Sequence, residues 1–429
     1  MTATTAERVP TFASLGLRNY RLFFIGGFVS NIGTWMARVA QDWLVLTVLT
    51  ANSAMALGLV TGLQFLPIAL LAPWAGAIAD RYAKRRLLML TQAALALTGL
   101  ALAILVLGGW VQLWHVYLLA TLQGVASAFD TPARQAFAPE MVPARLIPNA
   151  VGLNTTSFHS ARLVGPAVAG LTIAAWGVGP ALLLNALSFV AVLVALARMD
   201  DAELTPAPVN RSRGAIREGL RYVRNRPDIM LLMFAVFMLG TFGLNFQLTN
   251  ALMATAVFRV GPEAYGLLGS ILAIGSLSAG LMAARRTRPR LRLIVGSMGG
   301  FALTSAGLAV APSYAWYAAL LVPTGLFALT VMTAANASVQ LATEPIMRGR
   351  VMALYMAIFL GGTPLGSPLV GWVGDAWGAR WTLAIGAIAT GLTFLIIAGY
   401  LLRQARAEQP EASSDRPLAG AELDEASCA

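Results

Sequence analysis

Two long apolar stretches of the sequence contain ionisable side chains at helical spacing. In the first, residues 21–49, Arg38 and Asp42 fall on one helical face together with Asn31 and Trp35. An ionisable side chain in the middle of a long apolar stretch is costly to bury and therefore marks a functional site. A functional Asp42 would alternate between Arg38 and a proton, so it is a candidate for proton coupling. The alternative is a structural ion pair between Arg38 and Asp42 within one helix.

The second stretch, residues 149–175, carries Thr155, His159 and Arg162 on one face. His159 is another candidate for proton coupling, and the alternative is a packing histidine. The predicted substrate cavity combines these faces with uncharged polar residues of the second half: Asn31, Trp35, Arg38, Asp42, Thr155, Arg162, Asn245, Asn336 and Gln340. Two arginines and one aspartate give it a net charge of about +1, which suits anionic or neutral amphipathic molecules.

The composition indicates which elements must position these side chains. Of 429 residues, 58% are hydrophobic and only 11% are charged, and the mean hydropathy is +0.71. A soluble chain carries about 25% charged residues, so this composition excludes a soluble enzyme and indicates a membrane protein. Apolar stretches long enough to cross ~30 Å of hydrocarbon recur along the chain. Twelve spans are predicted, at 21–49, 56–79, 86–108, 113–133, 149–175, 178–198, 229–255, 264–284, 292–311, 314–341, 350–374 and 379–402.

The spans are predicted to be helices, since they lack the alternation over ~10 residues that is typical of β-barrel strands. Nearly all of the 30 Lys and Arg residues lie in loops on one side of the predicted spans, which is also the side of both termini. Basic loops stay in the cytoplasm, so both termini are predicted to be cytoplasmic. The net charge of +11 is therefore a topology signal, and no nucleic-acid partner is expected. Two histidines and one cysteine make a metal site improbable.

The longest polar stretch, 199–228, divides the spans into two sets of six. ALGLVTG at 56–62 matches AYGLLGS at 264–270, and AAWG at 174–177 matches DAWG at 375–378. These matches indicate an internal repeat, which is typical of secondary transporters with a site between their halves; a chance likeness of glycine-rich spans is the alternative. The predicted units are a cytoplasmic segment 1–20, a six-helix bundle 21–198, a cytoplasmic loop 199–228, a second six-helix bundle 229–402 and a disordered cytoplasmic tail 403–429.

The loop between the second and third spans reads GAIADRYAKRR at 76–86. A small residue lets neighbouring helices approach, and Asp80 at a helix terminus can pair with a nearby cation or meet the positive end of a neighbouring helix. The loop resembles the signature G-x-x-x-D-[RK]-x-G-[RK]-[RK] of the major facilitator superfamily, with Ala83 where the second glycine is usual. The resemblance implies a cytoplasmic latch that controls alternation between states. Its matching residues are Gly76, Asp80, Arg81, Lys84 and Arg85.

The fourth span adds Asp130 and Arg134, four residues apart on one helical face. Asp130 lies near the cytoplasmic end of its span, where a latch cation, Lys84 or Arg81, is its expected partner. We therefore count Asp130 and Arg134 with the latch. The alternative is a local ion pair between these two residues that has no role in switching.

The fifth span carries small residues and a proline, Gly152, Gly165, Pro166 and Gly170. Small residues permit tight helix packing, and Pro166 removes a backbone hydrogen bond and allows a bend. The pattern resembles the glycine-proline signature of major facilitator antiporters, with alanines replacing two glycines. That resemblance implies export, whereas packing without directional meaning is the alternative.

Over residues 15–400 the chain resembles a twelve-span major facilitator, and more narrowly the bacterial branch of enterobactin exporters and macrolide-efflux proteins. The pieces that carry the resemblance, besides the 76–86 loop, are NYRLFFIGGFVSNIG at 19–33, GLQFLP at 62–67, DTPARQAF at 130–137 and ARLVGPAVAG at 161–170. It implies an all-α integral membrane protein with twelve transmembrane helices in two pseudo-symmetric six-helix bundles. It further implies a monomer in the bacterial cytoplasmic (inner) membrane.

The implied function is a proton-coupled exporter, or antiporter, of small amphipathic molecules such as drugs or siderophores, working by alternating access. Lys84 is the single lysine and no G-x-x-x-x-G-K-[ST] loop surrounds it, so an ion gradient is expected to drive transport, with sodium as the alternative to protons. No cofactor and no enzymatic activity are expected. Two other functions stay open: a sensor that binds a ligand without transport, and an exporter specific for a siderophore or lipid.

Overall fold

The computed structural model describes residues 10–205, 215–286 and 290–407, and every regular element in them is helical. Residues 1–9, 206–214 and 408–429, which hold parts of the predicted N-terminal segment, central loop and disordered tail, lie outside the described residues. The α-helices are α1 Arg18–Trp43, α2 Ala54–Arg81, α3 Lys84–Leu107, α4 Leu113–Phe137, α5 Ile147–Trp176, α6 Val178–Ala197, α7 Ala215–Arg224, α8 Pro227–Met238, α9 Phe246–Leu252, α10 Pro262–Ala284, α11 Leu291–Ala309, α12 Tyr314–Ala342, α13 Arg348–Trp377 and α14 Ala379–Ala407.

Ten helical segments in the described part of the chain are long and apolar enough to cross a membrane. The fourth and fifth predicted spans coincide with α4 and α5, whose 25 and 30 residues have the necessary length but a more polar composition. The first span is α1 with a π-helical continuation, Leu44–Leu49. The seventh is discontinuous and consists of α8, α9 and the π-helical segments Leu239–Gly243 and Met253–Val257. The helix positions thus agree with the twelve predicted spans.

The predicted repeat is visible in the backbone at the ends of equivalent spans. The first and the seventh both end in a π-helical segment followed by a residue of positive φ, Asn52 at 71° and Arg259 at 53°. Both α5 and α13 end at a tryptophan followed by a glycine of positive φ, Gly177 at 84° and Gly378 at 98°. Glycine adopts this conformation without the steric cost of a Cβ. The two halves are therefore pseudo-symmetric, as predicted.

Helix packing separates the described chain into two bundles. In the first half, α1 packs against α5 and α6, α3 packs against α4 and α6, and α2 packs against α4. In the second half, α10 packs against α12, α11 packs against α12 and α14, and α13 packs against α14. Two helix pairs, α2 with α13 and α5 with α10, join the halves. We call the side where α1 begins and α14 ends the terminus side, and the opposite side the far side.

Glycine sets how closely α10 and α12 approach. A Cβ added at Gly275 would overlap the carbonyl oxygen of Val322 in α12. At Gly280, farther along the same helix, the nearest such atom is Cδ2 of Leu329 at 4.0 Å. Lipid tails are as apolar as leucine, so helices in a membrane associate through close packing of this kind.

We expect Gly275→Ala to destabilise the protein by about 1–3 kcal/mol, because the new methyl must push two backbones apart. The measurement is the apparent melting temperature of the detergent-purified protein. Gly280→Ala is the matched control, since its methyl has room, and it should leave the melting temperature unchanged or slightly raised. Equal melting temperatures for the two variants would contradict this account of the contact.

Candidate functional site

A cavity of about 420 Å³ lies between the two halves, with walls from α1, α2 and α5 on one side and α9, α10, α12 and α13 on the other. Arg38 and Arg162 line it, and both guanidinium groups lie against the ring of Trp35, with Cζ 4.8 and 5.5 Å from the ring centroid. Apolar side chains complete the walls, among them Phe65, Leu329, Met332 and Phe359. The cavity therefore combines a cationic patch with apolar walls.

Asp42 is buried beside this cavity, with 3% of its surface exposed. Its Oδ2 accepts hydrogen bonds from the Tyr265 hydroxyl at 2.8 Å and the Gln247 amide at 3.3 Å, and both donors line the cavity from the second half. Within the described residues Arg38 and Asp42 form no salt bridge. The Asp42 carboxylate instead binds donors across the interface between the halves.

The seventh span is broken next to the cavity, between its first π-helical segment and α9. Asn245 stands at the break and lines the cavity, as predicted. Its amide donates to the carbonyl oxygen of Thr241 at 2.8 Å, and its Oδ1 accepts from the Ser367 hydroxyl of α13 at 2.7 Å. The first bond satisfies a backbone carbonyl beside the break, as a buried backbone group in a membrane requires, and the second ties the break to α13.

Besides Asp42, which lies beside the cavity, four predicted cavity residues, Asn31, Thr155, Asn336 and Gln340, are not among the described residues that line it. Each lies one or two helical turns toward the terminus side of a residue that does line it. The Thr155 hydroxyl bonds to a backbone carbonyl of its own helix, and the Gln340 amide donates to Asn336 at 2.7 Å. His159 is half-buried one turn from Arg162, also outside the cavity wall. Helical spacing thus predicts which side chains share a helical face, but not how far along that face the cavity extends.

On the far side a carboxylate of the second half caps a helix of the first. Asp375, near the end of α13, accepts hydrogen bonds from the backbone N–H groups of Ala54 at 2.6 Å and Met55 at 3.0 Å. It also accepts from the Ser53 hydroxyl at 2.9 Å. The N-terminus of α2 carries the positive end of the helix dipole, so this contact is electrostatically favourable. Asp375 therefore holds the far-side ends of α2 and α13 together.

The small residues of the fifth span serve two different contacts. A Cβ at Gly165 would overlap Trp35 of α1, within the first half. A Cβ at Gly170 would instead meet the carbonyl oxygen of Pro262 in α10, and the carbonyl oxygen of Pro166 lies against Gly266 in α10. Pro166 and Gly170 thus belong to the interface between the halves.

The close approach of the halves does not extend to the terminus side. Glycines near the terminus-side ends of α2, α5 and α13 are Gly76, Gly152 and Gly349, and a Cβ at each would meet no described atom within 4 Å. Close packing between the halves is therefore concentrated on the far side, where Asp375 also lies.

Two of the predicted latch cations have partners in the first half. Lys84 Nζ lies 2.8 Å from Oε1 of Glu140, and the two side chains are only 9% and 6% exposed. The Arg85 guanidinium donates to the carbonyl oxygen of Leu196 at the end of α6 and pairs with Asp201. These contacts tie the start of α3 to the segments that follow α4 and α6.

Asp130 is held by α3 and by its own helix. Its Oδ1 accepts from the Thr91 hydroxyl at 2.8 Å and the Gln92 amide at 2.7 Å, while its Oδ2 accepts from Arg134 Nε at 3.2 Å. The side chain is 8% exposed, so these three donors satisfy a buried carboxylate.

The expected partner of Asp130, Lys84 or Arg81, was therefore wrong, and the local ion pair with Arg134 is the one that forms. The reason is that Lys84 forms its ion pair with Glu140, while Arg81 is exposed at the end of α2. Asp80 is also exposed, and it forms no salt bridge with any described residue.

Among the contact residues that sequence reasoning missed are Tyr265, Gln247, Glu140 and Asp375. Three of them stand in stretches that repeat between the halves, Tyr265 in AYGLLGS, Asp375 in DAWG and Glu140 opposite Glu344. The repeat therefore includes these three positions, but it does not predict their contact partners, which lie in distant parts of the chain.

The helical fold and a cavity between two pseudo-symmetric halves define a membrane transporter of the major facilitator type. A family model described as transmembrane secretion effector matches residues 9–428, and the chain belongs to this family. It is thus a multi-pass transporter and not an enzyme, as predicted.

Three relatives have the following similarities. The staphyloferrin A transporter of Staphylococcus aureus is 27% identical over 86% of this chain and 93% of its own length. Macrolide efflux protein A of Streptococcus pyogenes is 25% identical over 79% and 85%, and the enterobactin exporter EntS of Shigella flexneri is 23% identical over 89% and 90%. The predicted branch of the superfamily is therefore confirmed.

One solved structure shows the same fold at low sequence identity. It is a bacterial homologue of the human lysosomal transporter Spinster, in an inward-facing and unoccupied conformation. The TM-score is 0.69 with 16% identity, covering 92% of this chain and 98% of that chain.

We expect Glu140→Gln to destabilise the protein by about 3 kcal/mol, because it leaves the Lys84 ammonium buried without a carboxylate. Glu344, at the equivalent place in the second half, is exposed and makes a matched control. The apparent melting temperature should fall for Glu140→Gln and stay unchanged for Glu344→Gln. A similar melting temperature in both variants would contradict a structural ion pair at Lys84.

Proposed function

We propose that this chain exports small amphipathic molecules, such as drugs or siderophores, from the bacterial cytoplasm in exchange for protons. The family description as a secretion effector supports the direction of transport. So do relatives whose names state macrolide efflux and enterobactin export. The small-residue pattern of α5 adds to this, since it resembles that of major facilitator antiporters.

The observation that carries the proton coupling is the cross-half contact of Asp42. An ionised carboxylate accepts charge-assisted hydrogen bonds, which are roughly twice as strong as neutral ones. Protonation of Asp42 would weaken its bonds to Tyr265 and Gln247, so proton occupancy would bias the contact between the halves. His159 is the second candidate, but it forms no hydrogen bond with the second half in the described residues.

Alternating access would follow from movement of two units, the bundles 21–198 and 229–402, about the central cavity. We infer that the terminus side is cytoplasmic, because it carries the basic loops. The state with close far-side packing is then one that receives substrate from the cytoplasm. Asp80 and Arg81, exposed here, are proposed to engage the second half when the cytoplasmic side closes. Both bundles belong to one chain, so alternating access between them requires only a monomer.

The experiment that tests this function is substrate-triggered proton movement in proteoliposomes, screened with dyes, macrolides and catecholate siderophores. Wild type should show a proton flux with at least one compound. Asp42→Asn should abolish the flux while substrate binding is retained, because the amide cannot exchange a proton.

Tyr265→Phe is the matched control, since it removes the hydrogen-bond donor and leaves the carboxylate. Its flux should be altered in rate but not lost. A proton flux that survives Asp42→Asn would contradict the role of Asp42 and move the assignment to His159. Binding of a compound with no flux in wild type would favour the sensor instead.

The far-side contact of Asp375 gives a second test of alternating access. Asp375→Ala removes the cap from α2 and should weaken the state that is closed on the far side. A loss of about 1.4 kcal/mol in the free energy that favours this state raises the fraction of molecules open on the far side roughly tenfold. The reporter is a cysteine at Thr61, which lines the cavity, in a chain whose one natural cysteine, Cys428, is replaced by serine. Its labelling rate with a membrane-impermeant maleimide applied to whole cells should rise by about this factor.

Gln112→Ala is the control, because it removes the N-cap side chain of another far-side helix, α4, which belongs to neither helix pair that joins the halves. It should leave the labelling rate of the Thr61 cysteine near the wild-type value. An unchanged rate in Asp375→Ala would show that the cap does not hold the far side closed.

A further inference from the structure

Two arginines line the cavity without a salt bridge to any described residue. Arg38 and Arg162 form no salt bridge, and neither guanidinium group donates a hydrogen bond to a described residue. Nε of Arg38 is buried and has no acceptor. The nearby carboxylate, Asp42, is engaged by Tyr265 and Gln247. The cavity wall thus has two guanidinium groups with unused donors.

Such an arrangement is unusual because buried charges in membrane proteins are paired or line a substrate pathway. The face of Trp35 compensates part of the charge through its ring quadrupole, but it offers no hydrogen-bond acceptor. A guanidinium has five donors in a planar fork that matches a carboxylate. The chemical group that these donors match is therefore an acceptor anion.

We propose that the cavity binds molecules that carry a carboxylate, held by Arg38 and Arg162 with their apolar part against Trp35 and the opposite wall. This inference rests on the proposed function as a small-molecule exporter and names the chemical class of its substrate. The walls at Phe65 and Phe359 accept an aromatic or alkyl body. A cationic molecule would meet two guanidinium groups and no free carboxylate.

The test uses three probes that share a fluorophore and differ in charge: dansyl-phenylalanine, its primary amide and dansylcadaverine. Binding to the full-length, detergent-purified protein is followed by dansyl fluorescence anisotropy. The carboxylate should bind at least tenfold more tightly than the amide, and the cation should bind most weakly. In Arg162→Gln the preference for the carboxylate should fall below threefold while the affinity for the amide stays unchanged.

Arg380→Gln is the matched control, because it removes one arginine on the far side, outside the cavity wall. It should keep the wild-type preference. If Arg162→Gln does not fold, Arg162→Lys keeps the charge without the planar fork and should lose part of the preference.

The proposal is overturned if the carboxylate binds no more tightly than the amide in wild type. It is also overturned if the preference survives in both Arg38→Gln and Arg162→Gln. Either result would leave proton-coupled export untouched, since the proteoliposome assay does not depend on these probes. Conversely, a clear carboxylate preference without proton flux would support the binding site and contradict the export function.

Discussion

The rest of the structure depends on how two helical bundles meet inside a membrane. Lipid provides little apolar driving force for their association, so contact requires backbones that approach closely and polar groups that are satisfied. The α2–α13 and α5–α10 pairs meet this requirement on the far side through glycines, and through Asp375 at the start of α2. Close backbone packing of this kind depends on the alignment of the two helices, and it is weakened when one helix tilts relative to the other. The proposed alternating access would require this interface to open, and not the packing inside either bundle.

Charge is distributed according to the same requirement. Lys84 with Glu140 and Asp130 with Arg134 are buried pairs within the first half, and their separation would leave an uncompensated charge. They act as fixed structure. Asp42 differs, because its partners are uncharged and lie in the other half. In the proposed exchange, protonation of Asp42 would weaken hydrogen bonds between the halves and would not break a salt bridge.

The sequence was sufficient for the fold, since apolar length and basic loops are local properties of the chain and the repeat is visible by comparing its two halves. It also identified Arg38, Asp42, Arg162 and Asn245, because polar residues in apolar spans are rare. It failed where a partner comes from elsewhere. Neither Thr91 nor Gln92 could be placed beside Asp130 without knowing that α3 packs on α4. Similarly, helical spacing has no information about where along a face the cavity ends, so Thr155 and Gln340 were predicted too close to it.

The pseudo-symmetric scaffold carries asymmetric chemistry. The charged residues at the central cavity, Arg38, Arg162 and the adjoining Asp42, belong to the first half, whereas the second half contributes neutral donors such as Tyr265. At the far side the relation is reversed, because Asp375 of the second half stands where the first half has Ala174. In a fully symmetric protein, both bundles would contribute the same kinds of side chain to the central cavity. Here one half carries the charges and the other carries the neutral donors that bind Asp42, so in the proposed mechanism a change in charge on Asp42 would act on the contact between the halves.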